Sequence, residues 1–138
     1  MKYNLLFTIL ILFTSCSYVK DKLVIINLSK EYIYYTTLLL DKESDVFFTC
    51  SAGGSFNFFS NESSPLVREP IESLMKETSK DNFLYIVFFT KEDKEYVYNN
   101  IETVVINKKF ITYKISKQQL EKLNWRVKYN GSKGLNNI

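Results

Sequence analysis

Apolar residues along this chain come in short runs divided by polar and charged turns, a pattern that predicts strands more than helices. Leu23 to Leu28 (LVIINL) and Ile33 to Leu40 (IYYTTLLL) read as two strands joined by Ser29-Lys30-Glu31 as a hairpin. Asp41 to Asp45 is a polar turn before a strand over Val46 to Ser51. Ala52-Gly53-Gly54-Ser55 reads as a turn, because glycine takes positive φ without steric cost, and Phe56 to Phe59 reads as a short strand after it. Ser60 to Arg68 is a predicted loop. Pro70 then suits the first position of a helix, where its missing N–H is no loss. Ile71, Leu74, Met75 and Thr78 follow at helical spacing, so a helix is expected from about 70 to 79, laid on the sheet.

Phe83 to Thr90 (FLYIVFFT) opens with seven continuous apolar residues, which predicts a central strand covered on both faces. Lys91 to Glu95 is a charged turn, Thr103 to Ile106 (TVVI) a strand, and Phe110 to Ile115 another. Ser116 with Gln119 three residues on forms a capping box, and Ile115 with Leu120 a hydrophobic staple, so a helix is expected over 117–123. Asn124 suits a left-handed cap. Trp125, Val127 and Tyr129 then alternate with Arg126 and Lys128 as a half-buried closing strand, and residues 131–138 read as a loose tail. About seven or eight short strands with two short helices predict a mainly β fold, a β-sandwich over residues 23–130. The alternative is an α+β fold with one antiparallel sheet.

Composition agrees with this reading. The chain is 46% hydrophobic and 16% aromatic, with four glycines, two prolines and a single alanine, Ala52. Such a set favours a strand-rich globular domain over a helical bundle or a disordered chain. The chain contains no histidine, which removes Ser-His-Asp and Cys-His catalysis and histidine-ligated metal sites. No glycine-rich phosphate cradle occurs either. No catalytic residue, metal site or cofactor is therefore expected. Cys50 is expected to be a buried thiol acting as a small hydrophobe.

The first sixteen residues, MKYNLLFTILILFTSC, have a different character. Lys2 gives a positive start, Leu5 to Phe13 an apolar run broken only by Thr8, and Thr14-Ser15 the small residues before Cys16. That is the layout of a secretory signal peptide. The apolar run is about half the ~20 residues of a membrane span. Phe13-Thr14-Ser15-Cys16 resembles the lipobox of bacterial lipoproteins, with Phe13 standing where an aliphatic residue is usual. The resemblance implies a signal over 1–15, lipid (palmitate among its acyl chains) on Cys16, a tether over 16–22 and a place in the cell envelope, at the outer membrane. A second resemblance lies near the C-terminus. Phe83 to Asp93, then Tyr113, Leu120, Leu123-Asn124-Trp125, Val127 and Tyr129 resemble small uncharacterised lipoproteins of Bacteroides-type bacteria, which usually place proline where this chain has Asn130-Gly131. It implies a lipid-anchored, mainly β domain and carries no activity with it.

Charge is unevenly spread. Ser17 to Thr103 holds nine Lys/Arg and fourteen Asp/Glu, whereas Val104 to Ile138 holds eight Lys/Arg and the single Glu121. Lys114, Arg126 and Lys128 are expected to share one solvent face of the closing strands, with Lys108, Lys109, Lys117 and Lys122 nearby. Such a face would suit an anionic glycan, a lipid head group or an acidic protein, or else guard an edge strand against pairing. Nucleic acid is not expected, since no reading motif appears. The alternate acids Asp41, Glu43 and Asp45 lack the glycine and closing glutamate of a calcium loop and read as a solvated turn. Tyr32, Tyr34, Tyr35, Phe56, Phe58 and Phe59 are candidates to stack on sugar rings, with core packing as the simpler role. Strand alternation turns one of Tyr34 and Tyr35 outward. These readings give a non-catalytic, lipid-anchored envelope protein that binds a partner or scaffolds a complex. A glycan-binding module is the alternative, and a carboxylate-based hydrolase a distant third.

Overall fold

The computed structural model describes residues 23–55, 61–65, 67 and 69–131. The signal and tether, the strand expected over Phe56 to Phe59 and nearly all of the tail lie outside them. Along the chain run β1 (Val24–Asn27), β2 (Ile33–Leu40), β3 (Phe47–Ser55), β4 (Glu62–Ser63), α1 (Ile71–Thr78), β5 (Phe83–Phe89), α2 (Lys94–Asn99), α3 (Ile101–Val104), β6 (Ile111–Ser116), α4 (Lys117–Lys122) and β7 (Arg126–Tyr129). The fold is mainly β. Its strands form a four-stranded antiparallel sheet of order β3-β2-β5-β6 and a three-stranded sheet of order β4-β1-β7.

The large sheet carries apolar side chains on both faces. Tyr35 and Leu39 of β2, Leu84, Ile86 and Phe88 of β5, and Tyr113 and Ile115 of β6 point toward the small sheet, meeting Ile25, Val127 and Tyr129. Ile71 and Met75 of α1 and Leu120 of α4 belong to the same core. Phe88 stacks on Tyr129 across the two sheets, with ring centroids 4.4 Å apart. On the opposite face, Leu38, Tyr85, Val87 and Phe89 form a second core with Val97, Val104 and Phe110. β5 is thus buried on both faces, as its unbroken apolar run requires.

Both expected helices are present, at Ile71–Thr78 and Lys117–Lys122. Pro70 stands just outside α1 as its N-cap. Lys42 Nζ donates to the carbonyls of Lys76 and Glu77 at 2.8 and 2.9 Å, supplying positive charge where the helix dipole ends. Ser116 and Gln119 make the reciprocal capping box. At the other end of α4, Asn124 (φ 51°) and Trp125 (φ 60°) are both left-handed. Trp125 N donates to Leu120 O at 2.8 Å and Asn124 N to Glu121 O at 3.0 Å, the paired bonds of a Schellman motif. Trp125 then packs in the core with Leu120.

Four expectations change. β1 and β2 are not a hairpin: they belong to different sheets, and β1 pairs in parallel with β7 and antiparallel with β4. Glu62–Ser63, expected as loop, supplies that β4 strand. Gly53 and Gly54 lie within β3 opposite Tyr35 and Tyr34, not in a turn. A Cβ on Gly53 would sit 2.5 Å from the Tyr35 hydroxyl oxygen, so the glycine makes room for that ring. Thr103 to Ile106, expected as a strand, begins in α3 and continues as turn. Val97, Ile101 and Val104 have helical i, i+4, i+7 spacing, and they lay α2 and α3 over the second core.

Candidate functional site

An aromatic shelf forms where β1 hands over to β2 and where β5 ends. Asn27, buried at the end of β1, organises the connecting turn. Its Oδ1 accepts from Ser29 N at 2.9 Å and Ser29 Oγ at 2.7 Å, and its Nδ2 donates to Glu31 O at 2.7 Å. The turn holds Glu31 and Tyr32 in place beside the first residues of β2. In β2 the alternation that buries Ile33 and Tyr35 turns Tyr34 to the other face of the sheet, opposite Phe89.

Tyr32 is 43% exposed and meets Tyr34 edge to face, with centroids 4.8 Å apart and planes at 63°. Tyr34 lies parallel to Phe89 at 6.1 Å, and Phe89, buried in the second core, is met edge-on by Tyr98 at 5.9 Å. The exposed Tyr32 ring thus rests on a half-buried Tyr34 that the buried Phe89 backs. Lys94 Nζ sits 5.4 Å from the centre of the Tyr34 ring, within cation–π range. Glu31, Tyr32, Tyr34, Thr90, Lys91 and Glu92 line an open cleft of about 580 Å³. Burial, followed by the neighbouring Tyr34, raises the Tyr32 phenol above its ordinary pKa, so it stays protonated at neutral pH. A hydrogen bond from Thr90 holds the Glu92 carboxyl below its usual value.

Of the candidate pair, Tyr34 therefore lines a surface cleft and Tyr35 does not. Tyr35 is fully buried, its hydroxyl hydrogen-bonded to that of Ser63 at 3.0 Å, so its place as a ligand contact is corrected to core packing that ties β2 to β4. Tyr32 was among the candidate stacking aromatics. In the sequence, Glu31, Lys91 and Glu92 read only as parts of turns. The two turns approach because β2 and β5 pair antiparallel, a contact between distant parts of the chain that periodicity does not reveal.

Lys114, Arg126 and Lys128 do not share one face. Lys114 is on β6 of the large sheet, and the other two are on β7 of the small one. Tyr113 and Tyr129 face each other inside the sandwich, so their neighbours Lys114 and Lys128 point outward on opposite sides. Lys114 lies 4.2 Å from the Phe83 ring centre and 3.5 Å from Asp81 Oδ2, while Arg126 pairs with Glu62. Both β6 and β7 are edge strands, the position that charged residues guard.

The other polar candidates have local roles. Asp41 Oδ2 accepts from Ser44 N at 2.8 Å, Ser44 Oγ at 2.6 Å and Glu43 N at 3.2 Å, so this carboxylate ties its own hairpin turn. Asp45 pairs with Lys80, on the far side of that hairpin. Cys50 is half-buried in mid-strand, not fully buried as expected. It is the extra residue of a β-bulge opposite Thr37/Leu38, and its Sγ bonds Thr37 O at 3.2 Å. Among the described residues, no three His, Cys, Asp or Glu side chains lie together so as to hold a metal ion. Phe56, Phe58 and Phe59 lie outside the described residues. Comparison with protein families, with curated proteins and with solved structures found no match to this chain.

Proposed function

We propose that this chain is a non-catalytic binding protein of the bacterial cell envelope, held at the outer membrane by lipid on Cys16, that engages its partner through the Tyr32–Tyr34 shelf. The observation that carries the reading is the shelf itself: an exposed Tyr32 set edge to face on a half-buried Tyr34 that Phe89 backs, beside a cleft lined by two carboxylates and the Lys91 ammonium group. Aromatic residues of this kind are enriched at binding hot spots, because a rigid ring gives a large contact area at little entropic cost. The path of the chain supports the same reading. A tether joins the domain at Leu23, before β1, while the shelf begins beyond Asn27, at the other end of that strand. Four strand residues separate the two ends by about 13 Å. A hydrolytic role draws less support, since Asp81, Asp93, Glu62 and Glu72 are each engaged by a lysine or arginine.

The reading is tested by placing a photo-crosslinking residue at Tyr32, or at Lys128 on the small sheet, in the full-length protein within its native envelope. Discrete adducts from position 32 and none from 128 are expected. Equal yields from both positions, or none from 32, would contradict it.

A further inference from the structure

We infer that the shelf is a binding site for a neutral saccharide, an inference that rests on the reading of the chain as a binding protein and adds the class of its ligand. The argument begins with the rings. Sugars present apolar C–H faces alternating with hydroxyl groups, and they bind best where an aromatic face lies beside polar groups that both donate and accept. Tyr32 and Tyr34 meet at 63°, which gives a corner and not a flat wall, and Phe89 holds Tyr34 from behind. The cleft beside them, about 580 Å³, falls within the ~300–1,000 Å³ of small-molecule sites.

Charge then narrows the ligand. Glu31 and Glu92 supply two carboxylates and Lys91 one ammonium group in the cleft lining, and Lys94 stands beside it over the Tyr34 ring, so acceptors and donors lie together and their formal charges offset. A cationic ligand, the usual guest of a tyrosine cage, meets Lys94 already lying 5.4 Å from the Tyr34 centre and is repelled there. An anionic ligand meets the two carboxylates. A neutral polyhydroxyl ligand meets neither obstacle: its hydroxyls can donate to Glu31 and Glu92 and to the Thr90 hydroxyl oxygen, whose own proton is engaged by the neighbouring carboxylate, and can accept from Lys91. Its ring lies on Tyr32. The same argument separates this site from the lysines of β6 and β7, which face elsewhere.

The test uses full-length protein in a detergent without a sugar head group. Maltotriose, cellotriose and triacetylchitotriose are titrated separately and followed by saturation-transfer NMR, which reports the sugar C–H protons that touch the protein. At least one trisaccharide should bind, and Tyr32→Ala should weaken it about tenfold, the scale of losing a central aromatic contact. Because Tyr32 is 43% exposed, the melting temperature should hold, so a loss of binding would not be a loss of fold. The milder variant Tyr32→Phe, which keeps the ring, should retain binding. No binding by all three sugars, or binding unaffected by Tyr32→Ala, would overturn the saccharide. Position-32 crosslinks to a protein with no sugar binding would overturn it too, while leaving the binding role intact.

Discussion

Asp81 shows how a single carboxylate can be busy without being a site. Its Oδ2 accepts from the Tyr85 hydroxyl at 2.5 Å and lies 3.5 Å from Lys114 Nζ, and its Oδ1 accepts from Phe83 N at 3.2 Å. Burial alone would raise its pKa. The Tyr85 hydroxyl, the Phe83 amide and the Lys114 ammonium outweigh that and hold it below the ordinary value. A carboxyl whose folded pKa is depressed adds stability above its unfolded pKa of about 3.9, and that stability is lost as the pH falls through the lower folded value. Asp81→Asn should therefore cost on the order of 1 kcal/mol near neutral pH. Urea melts of both proteins should converge as the pH drops below about 4. A gap that stays constant down to pH ~2.5 would contradict this account of Asp81.

At the scale of elements, the pairing of β2 with β3 depends on Gly53 in a way the sequence did not announce. Glycine next to glycine reads as a turn by local chemistry, yet here the missing Cβ accommodates the Tyr35 ring directly across the ladder. Gly53→Ala places a methyl group 2.5 Å from the phenolic oxygen and should cost ~1–3 kcal/mol as overpacking. Thermal melts check this, and the companion Gly53→Ala/Tyr35→Phe double variant should recover part of the loss by removing the clashing hydroxyl. No loss in the single variant would show that the ring is free to move. Local signals were otherwise good guides. Eight of the eleven described elements followed from runs of apolar residues and caps, because a capping box and a hydrophobic staple are made by residues a few positions apart. What stayed hidden was mostly long-range, β1 alongside β7 and β4 drawn from a loop; the helical character of α2 and α3 was masked locally, where β-branched Thr103-Val104-Val105-Ile106 imitated a strand.

For the whole molecule, the split of charge along the sequence does not become one basic face, because β6 and β7 lie in different sheets and turn their lysines apart. Of the candidate contacts, alternation in β2 allowed one tyrosine outward. The identity of that tyrosine needed the register with β5, and the cleft around it needed two turns brought together by the fold. Among the described residues no helix is long and apolar enough to cross a membrane. The proposed placement at a membrane rests on residues 1–16, followed by the six residues Ser17 to Lys22 before the described domain. Two or more acyl chains hold a protein stably, each buried CH₂ adding about 0.8 kcal/mol. The most direct measurement of this claim is metabolic labelling with an alkyne fatty acid, comparing the wild-type chain with Cys16→Ala and following the membrane fraction. The account expects strong label and membrane retention in the wild type and neither in Cys16→Ala; label that persists in Cys16→Ala, or an unlabelled wild-type protein, would contradict it.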